Sequence, residues 1–128
     1  MIAYKLCRLK KNGAITPLHI NRTQELPLDE WLEAEHHPTK GFSPRQGFHC
    51  APQPRVPHML DDVSFEQRVW VECEIEDFVQ YKVPKSQGGM WYLAQRIRHI
   101  NILTPKQVEM INHNVDTYME ARDNELQL

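Results

Sequence analysis

Arg68-Val69-Trp70-Val71-Glu72-Cys73-Glu74-Ile75-Glu76 alternates without a break. Val69, Val71, Cys73 and Ile75 fall on one face, and Trp70, Glu72, Glu74 and Glu76 on the other. That period of two is the mark of a half-buried strand. A second strand is expected in the second half of Trp91–Leu103, with Ile100 and Ile102 on one face and Ile97 and His99 on the other. Ser86-Gln87-Gly88-Gly89 reads as a turn leading into it. Ile2–Leu9 and Ala14–Ile20 flank Lys10-Lys11-Asn12-Gly13, and Asn-Gly between apolar runs signals a β-hairpin at the start of the chain. Pro17 cannot donate to a sheet ladder, so the second hairpin strand is an edge or is interrupted there.

Two helices are expected. Asp29–Glu35, between Pro27 and Pro38, reads as a short acidic helix near 29–35 with its carboxylates toward the favourable end of the dipole. Thr104-Pro105-Lys106-Gln107 carries an N-cap hydroxyl, a proline at the first helical position and a glutamine three residues after the cap. The C-terminal helix therefore runs from about 105 to 122, with Val108, Ile111, Val115, Tyr118 and Met119 as its apolar stripe. The fold class is α+β, a small, mostly antiparallel sheet opened by a β-hairpin. One domain is expected over residues 1–128, with an α/β core over 1–103 and the helix and tail over 104–128.

Composition narrows the function classes. Hydrophobic residues make up 41% and charged residues 25% of the 128, an ordinary globular balance. No apolar run approaches the roughly 20 residues that cross a bilayer, and Met1–Lys5 does not open a signal peptide. Cys7, Cys50 and Cys73 are odd in number and far apart, as expected for free thiols in a reducing cytoplasm. The net charge is −2, and residues 1–58 carry 8 Lys and Arg against 5 Asp and Glu, while residues 59–128 carry 7 against 12. This asymmetry permits a basic face for phosphates but is too small to predict nucleic-acid binding.

Residues 38–58 hold prolines at 38, 44, 52, 54 and 57, which excludes any long regular element; Gly47–Ala51 is the one stretch able to form a strand. Within it, Pro38–Cys50 gathers two glycines, two cations, two hydroxyls and a histidine. Glycines let a ligand approach the backbone, and Lys40 and Arg45 supply charge. The segment matches neither a Walker A loop nor a dinucleotide fingerprint. His49, Cys50 and His58, with Cys73 or His36 and His37, are zinc-capable residue types, but strand geometry sends His49 and Cys50 to opposite faces, so no metal site is expected. The same geometry argues against a Cys50 nucleophile served by His49 or His58. His49 is instead expected to bond a backbone carbonyl or His58. Glu72, Glu74 and Glu76 read as a solvated strand face. Trp70, Trp91 and Tyr92 are candidates to stack a flat ligand beside Gly88 and Gly89, and Arg96 and Arg98 leave one strand face, where they would complete an anion pocket with Lys40 and Arg45.

Pro38-Thr39-Lys40-Gly41-Phe42, Arg45-x-Gly47-Phe48-His49-Cys50, Pro57-His58-Met59, Arg68–Val71 and Ser86-Gln87-Gly88-Gly89-x-Trp91 together resemble a family of small bacteriophage and prophage proteins to which no activity attaches. The likeness spans residues 4–103. It implies an accessory protein in the cytoplasm of a bacterial host that acts by binding: blocking a host defence protein, sequestering a nucleotide signal or coating nucleic acid. A looser likeness links Arg8 and Gly47-Phe48-His49 to ADP-ribosyltransferase-like folds, whose enzymes need a late-strand glutamate that has no convincing counterpart here.

The expected partner is thus an anionic small molecule, a nucleotide or phosphate-bearing partner, or a host protein, bound without a cofactor. The ligand-binding candidates are Lys40, Arg45, His49, His58, Trp70, Trp91, Arg96 and Arg98, and no residue is assigned to catalysis. The enzyme alternative places Arg8 and His49 against a dinucleotide. The structural alternative is a small oligomerising protein seamed by its C-terminal helix, the chain being either a monomer or a homodimer through that helix.

Overall fold

The computed structural model describes residues 1–18, 24–34, 47–55 and 67–126. Its elements are β1 (Ile2–Leu9), β2 (Ile15–Thr16), β3 (Trp31–Glu33), β4 (Phe48–Cys50), β5 (Arg68–Lys82), β6 (Met90–Ile102) and α1 (Pro105–Leu126). The strands form one sheet in the order β2-β1-β5-β6-β3, with β4 also on β6, and every ladder is antiparallel.

The opening hairpin forms at Lys10-Lys11-Asn12-Gly13. Gly13 N–H donates to Lys10 O at 3.0 Å and Lys10 N–H to Ala14 O at 2.8 Å. Asn12 Oδ1 accepts from Ala14 N–H at 3.0 Å. Gly13 takes φ 87°, left-handed space that costs a side-chain-bearing residue free energy. β2 ends at Thr16, just before Pro17.

β5 is longer than the alternating stretch that announces it, because the alternation changes face rather than stopping. Ile75 lies opposite Ile97 and Phe78 opposite Ala94, all four on the core side. Two residues separate these pairs on each strand, where strict alternation allows one or three. Asp77 at φ 51° takes up the change on β5. Both strands therefore bend together and keep an inner face on either side of the bend. A bulge between Glu72 and Cys73 places Ile102 opposite Val71, on the core side with Ile97 and His99. The expectation that Ile102 and His99 face opposite ways is corrected by that one extra residue.

β6 carries partners along its other edge as well. β4 pairs with Tyr92–Ala94, β3 with Arg96–Arg98, and Leu28 bridges His99. Just past β4, Ala51 and Tyr4 exchange backbone hydrogen bonds of 2.9 and 2.7 Å. The sequence β1, β5, β6, β4 and back to β1 is thereby closed into a ring, which leaves few unpaired edges. A narrow interior needs small side chains, and Ala3, Cys7, Cys50, Cys73 and Ala94 are all fully buried there. Val71, Ile75 and Ile97 fill the remaining space, each contributing about 1.5–3 kcal/mol by burial.

The short helix expected near 29–35 is a strand. A helix between those prolines would have only two turns, too few to hold by itself. The edge of β6 offers backbone partners instead. Asp29, at φ 63°, turns the chain inward and its N–H donates to His99 O at 2.7 Å. Trp31–Glu33 then lies opposite Arg98–Arg96, and Leu32 packs on the core.

α1 begins with a reciprocal capping box: Gln107 N–H donates to Thr104 Oγ1 at 3.2 Å, and Gln107 Oε1 accepts from Thr104 N–H at 2.9 Å. The helix is tied to the segment after β4, where Asn112 Nδ2 donates to Pro54 O at 3.1 Å and Arg55 grips Asp116 at 3.2 and 2.8 Å. Val108 and Ile111 are half-buried; the side chains of Tyr118 and Met119 lie outside the described set. No described helix is long and apolar enough to cross a membrane.

Gly47 enters β4 at φ 140°, and a Cβ there would meet Ala94 O at 2.9 Å. Gly47→Ala is therefore expected to lower stability by roughly 1–3 kcal/mol, seen as a fall of several degrees in Tm by circular dichroism. Gly13→Ala, with open space around its Cβ, should cost less.

Candidate functional site

The face switch at Asp77 divides the outer surface of the β5/β6 hairpin into two regions of different chemistry. On the side toward β1 the outer residues are charged. Arg96 pairs with Glu76 and, at 3.9 Å, with Glu33; Arg98 pairs with Glu74 and, at 3.1 Å, with Asp29. The Trp31 ring lies against both guanidinium carbons, at 4.7 and 5.6 Å. Asn101 Nδ2 donates to Glu72 at 3.1 Å. Glu72, Glu74 and Glu76 are thus all engaged rather than simply solvated.

Arg96 and Arg98 do share a face, as their spacing predicts. Four carboxylates surround these two cations, however, so the local charge is negative and the cluster fastens β3 to β6. Pairs at this exposure each contribute only a fraction of a kcal/mol to about 1 kcal/mol, and each guanidinium on the indole a comparable amount.

Beyond Asp77 the outer surface is aromatic and apolar. Tyr81 lies opposite Trp91, Val79 opposite Leu93, and Leu93 opposite His49 on the next strand. His49 and Tyr81 reach over β6 from either side and meet above it. His49 Nδ1 and the Tyr81 hydroxyl share a hydrogen bond of 2.6 Å, with the rings edge to face at 6.0 Å between centroids. Tyr81 is thus a side-chain partner of His49 that sequence reasoning did not name; His58, the expected one, lies outside the described residues. Trp91 is half-buried, and the nearest side-chain atom to a Cβ at Gly88 would be Trp91 Nε1, at 4.0 Å. The glycine turn therefore keeps the space beside the indole open.

Of the sequence-derived site residues, His49 and Trp91 come together. Trp70 does not join them: it sits opposite Leu6 at the far end of β5, eleven residues from Tyr81, on the order of 30 Å of extended strand. Lys40, Arg45 and His58, like His36 and His37, lie outside the described residues. Tyr92 turns inward and packs edge to face on Phe78 at 5.5 Å, so it offers no stacking surface.

Two residues that sequence reasoning passed over belong to this region. Tyr81 lies past the point where the clean alternation ends. Lys5 shares parity with the buried Ala3 and Cys7, a signal present in β1, and its stem runs inward opposite Val71. Its ammonium emerges to donate to His49 O at 3.2 Å.

The interior holds titratable groups that burial keeps neutral. Burial pushes the Cys7 and Cys50 thiols up to about 11, and pushes Cys73 up further. All three stay protonated and unreactive. His99 is fully buried, and among the described residues neither ring nitrogen has a hydrogen-bond partner. Burial first, and the Lys5 charge second, lower its pKa to about 4. Among the described residues no group of His, Cys, Asp or Glu is placed to hold a metal ion. No family model, curated protein or solved structure matches the chain.

Two outcomes are expected. A thiol reagent should label no cysteine in the native protein and all three after denaturation. The unfolded chain should protonate His99 near pH 6.5 while the folded chain resists to about pH 4. Stability should therefore fall as pH drops through that window and level off below it, a loss on the order of 3 kcal/mol. Denaturant titrations of His99→Leu should show that part of the slope removed.

Proposed function

We propose that this protein is a binding module that captures a small ligand combining a flat ring with an anionic group, of the nucleotide type, on the outer face formed by His49, Tyr81 and Trp91. The observation that carries the reading is the 2.6 Å bond holding His49 and Tyr81 above β6, next to Trp91 and the Gly88-Gly89 turn. An indole stacks a base of any identity because every base has a π-face. The imidazole and phenol add hydrogen bonds whose geometry is already set, which reduces the entropy lost on binding. Positive charge comes from Lys5 at the His49 carbonyl, and Lys40 and Arg45 lie a few residues before Gly47 in the chain. Arg96 and Arg98 serve the attachment of β3 instead. A phage accessory protein that sequesters a nucleotide signal is the role this chemistry fits, and the sequence resemblance implies the same class.

Calorimetric titration with AMP, ATP and NAD should give saturable binding to at least one. Trp91→Ala should weaken it roughly 5- to 150-fold, the range of one lost base stack of about 1–3 kcal/mol. Affinities unchanged in Trp91→Ala and in His49→Ala would rule out this face. Consumption of NAD during the titration would instead favour the ADP-ribosyltransferase-like alternative.

A further inference from the structure

The two halves of the β5/β6 hairpin differ in the sign of their charge as well as in apolar character. Before the bend, the outer surface carries Glu72, Glu74 and Glu76, with Asp29 and Glu33 from the neighbouring edge, against Arg96 and Arg98. Beyond it, residues 78–95 contain Lys82 and Lys85 and no aspartate or glutamate, and residues 47–55, which include β4, contain no acid either. Lys82 and Lys85 are both exposed at the end of the hairpin, and Lys5 brings another ammonium to the His49 carbonyl. The net charge of −2 hides this arrangement, because folding sorts the carboxylates to one half of the hairpin and leaves the aromatic half positive. A polyanion is drawn to the far half and repelled from the near one.

The rings of this half stand on the outward surface of the sheet, not inside the closed ring of strands. Tyr81 lies directly opposite Trp91, and His49 joins them from β4. Ring surface therefore continues across three neighbouring strands, a span of about 10 Å that exceeds one stacked base. Small-ligand sites are concave and enclose most of their ligand. An outward aromatic sheet face with positive charge at its end is instead the kind of platform on which a single strand lays successive bases. The turn beside Trp91 suits the connecting backbone. Gly88 and Gly89, at φ 104° and 84°, carry no side chain, and Gly88 N–H donates to Lys85 O at 3.1 Å, so the lysine belongs to the same turn.

We propose that the ligand of this face is single-stranded nucleic acid, with one base on Trp91, the next against the His49–Tyr81 pair, and the connecting phosphates passing the Gly88-Gly89 turn toward Lys85. The proposal rests on the reading of this face as a nucleotide site and extends it from one nucleotide to a strand. A duplex keeps its bases stacked on one another and offers none to the rings. Fluorescence anisotropy of a labelled oligothymidylate of about 12 nucleotides tests this, with TMP and an unlabelled duplex of the same length as competitors. The strand should bind at least about fivefold more tightly than TMP, the lower end of the range for one further stacked base, and more tightly than the duplex. Its affinity should fall linearly on a log–log plot against salt, and Lys85→Ala should make that slope shallower by about 0.7, the loss of one single-strand phosphate contact. Lys85→Arg should keep the parent slope, and both exposed substitutions should keep the parent Tm. A strand that binds no more tightly than TMP would overturn this inference and leave the small-ligand reading standing. Equal affinity for the duplex, or a slope unchanged in Lys85→Ala, would also overturn it. Binding of neither the strand nor TMP, AMP, ATP or NAD would remove both readings together.

Discussion

Pairing of β5 with β6 runs from Val71 opposite Ile102 to Lys82 opposite Met90, and every other strand is anchored to one of these two or to β1, which is itself held by β5. Because both strands change face together between Ile75 and Phe78, the hairpin bends without losing its ladder. On both sides of the bend its inner face, with β1 before it and β4 beyond it, encloses a narrow core. Beyond the bend the hairpin also carries the Tyr81–Trp91 pair on its outer surface. A bend in one strand alone would have broken the register. Asp77 tolerates left-handed space better than a β-branched or bulky residue, because its short polar side chain can bond locally.

The closed interior has an electrostatic consequence. Lys5 enters it stem first and delivers its ammonium to the His49 carbonyl, so the positive charge stays near the rim while its field reaches the core. That field opposes protonation of His99 and lowers the thiol pKa values slightly, against the larger upward effect of burial. The interior thus holds a neutral imidazole and three neutral thiols. Excluding water from these groups keeps the thiols protonated and the imidazole uncharged. The same Lys5 contact ties β1 to β4 beside the Tyr4–Ala51 closure, so the structural rim and the candidate ligand face meet at His49.

Much of the fold was legible because its signals are local. Asn12-Gly13 set the first turn, Thr104 and Gln107 the helix start, and Val69, Val71, Cys73 and Ile75 the inner face of β5. Asp29–Glu35 was misread because two acidic turns look helical in isolation, while the unpaired edge of β6 that captures Trp31–Glu33 appears nowhere in that segment. Half of the candidate site was visible: His49 and Trp91 stand out by type and by neighbouring glycines. Tyr81 was hidden because periodicity cannot be followed through a face switch.

The sequence by itself determined the strand-forming runs, the turn and cap chemistry, and the identity of the free thiols, since each depends on residues within a few positions of one another. Only the tertiary structure decided which distant side chains share a surface. It placed Arg96 and Arg98 on carboxylates and Trp31, moved Trp70 away from Trp91, and brought Tyr81 onto His49. These outcomes turn on register, and a single extra residue at Asp77 or beside Glu72 reverses which face every following side chain occupies.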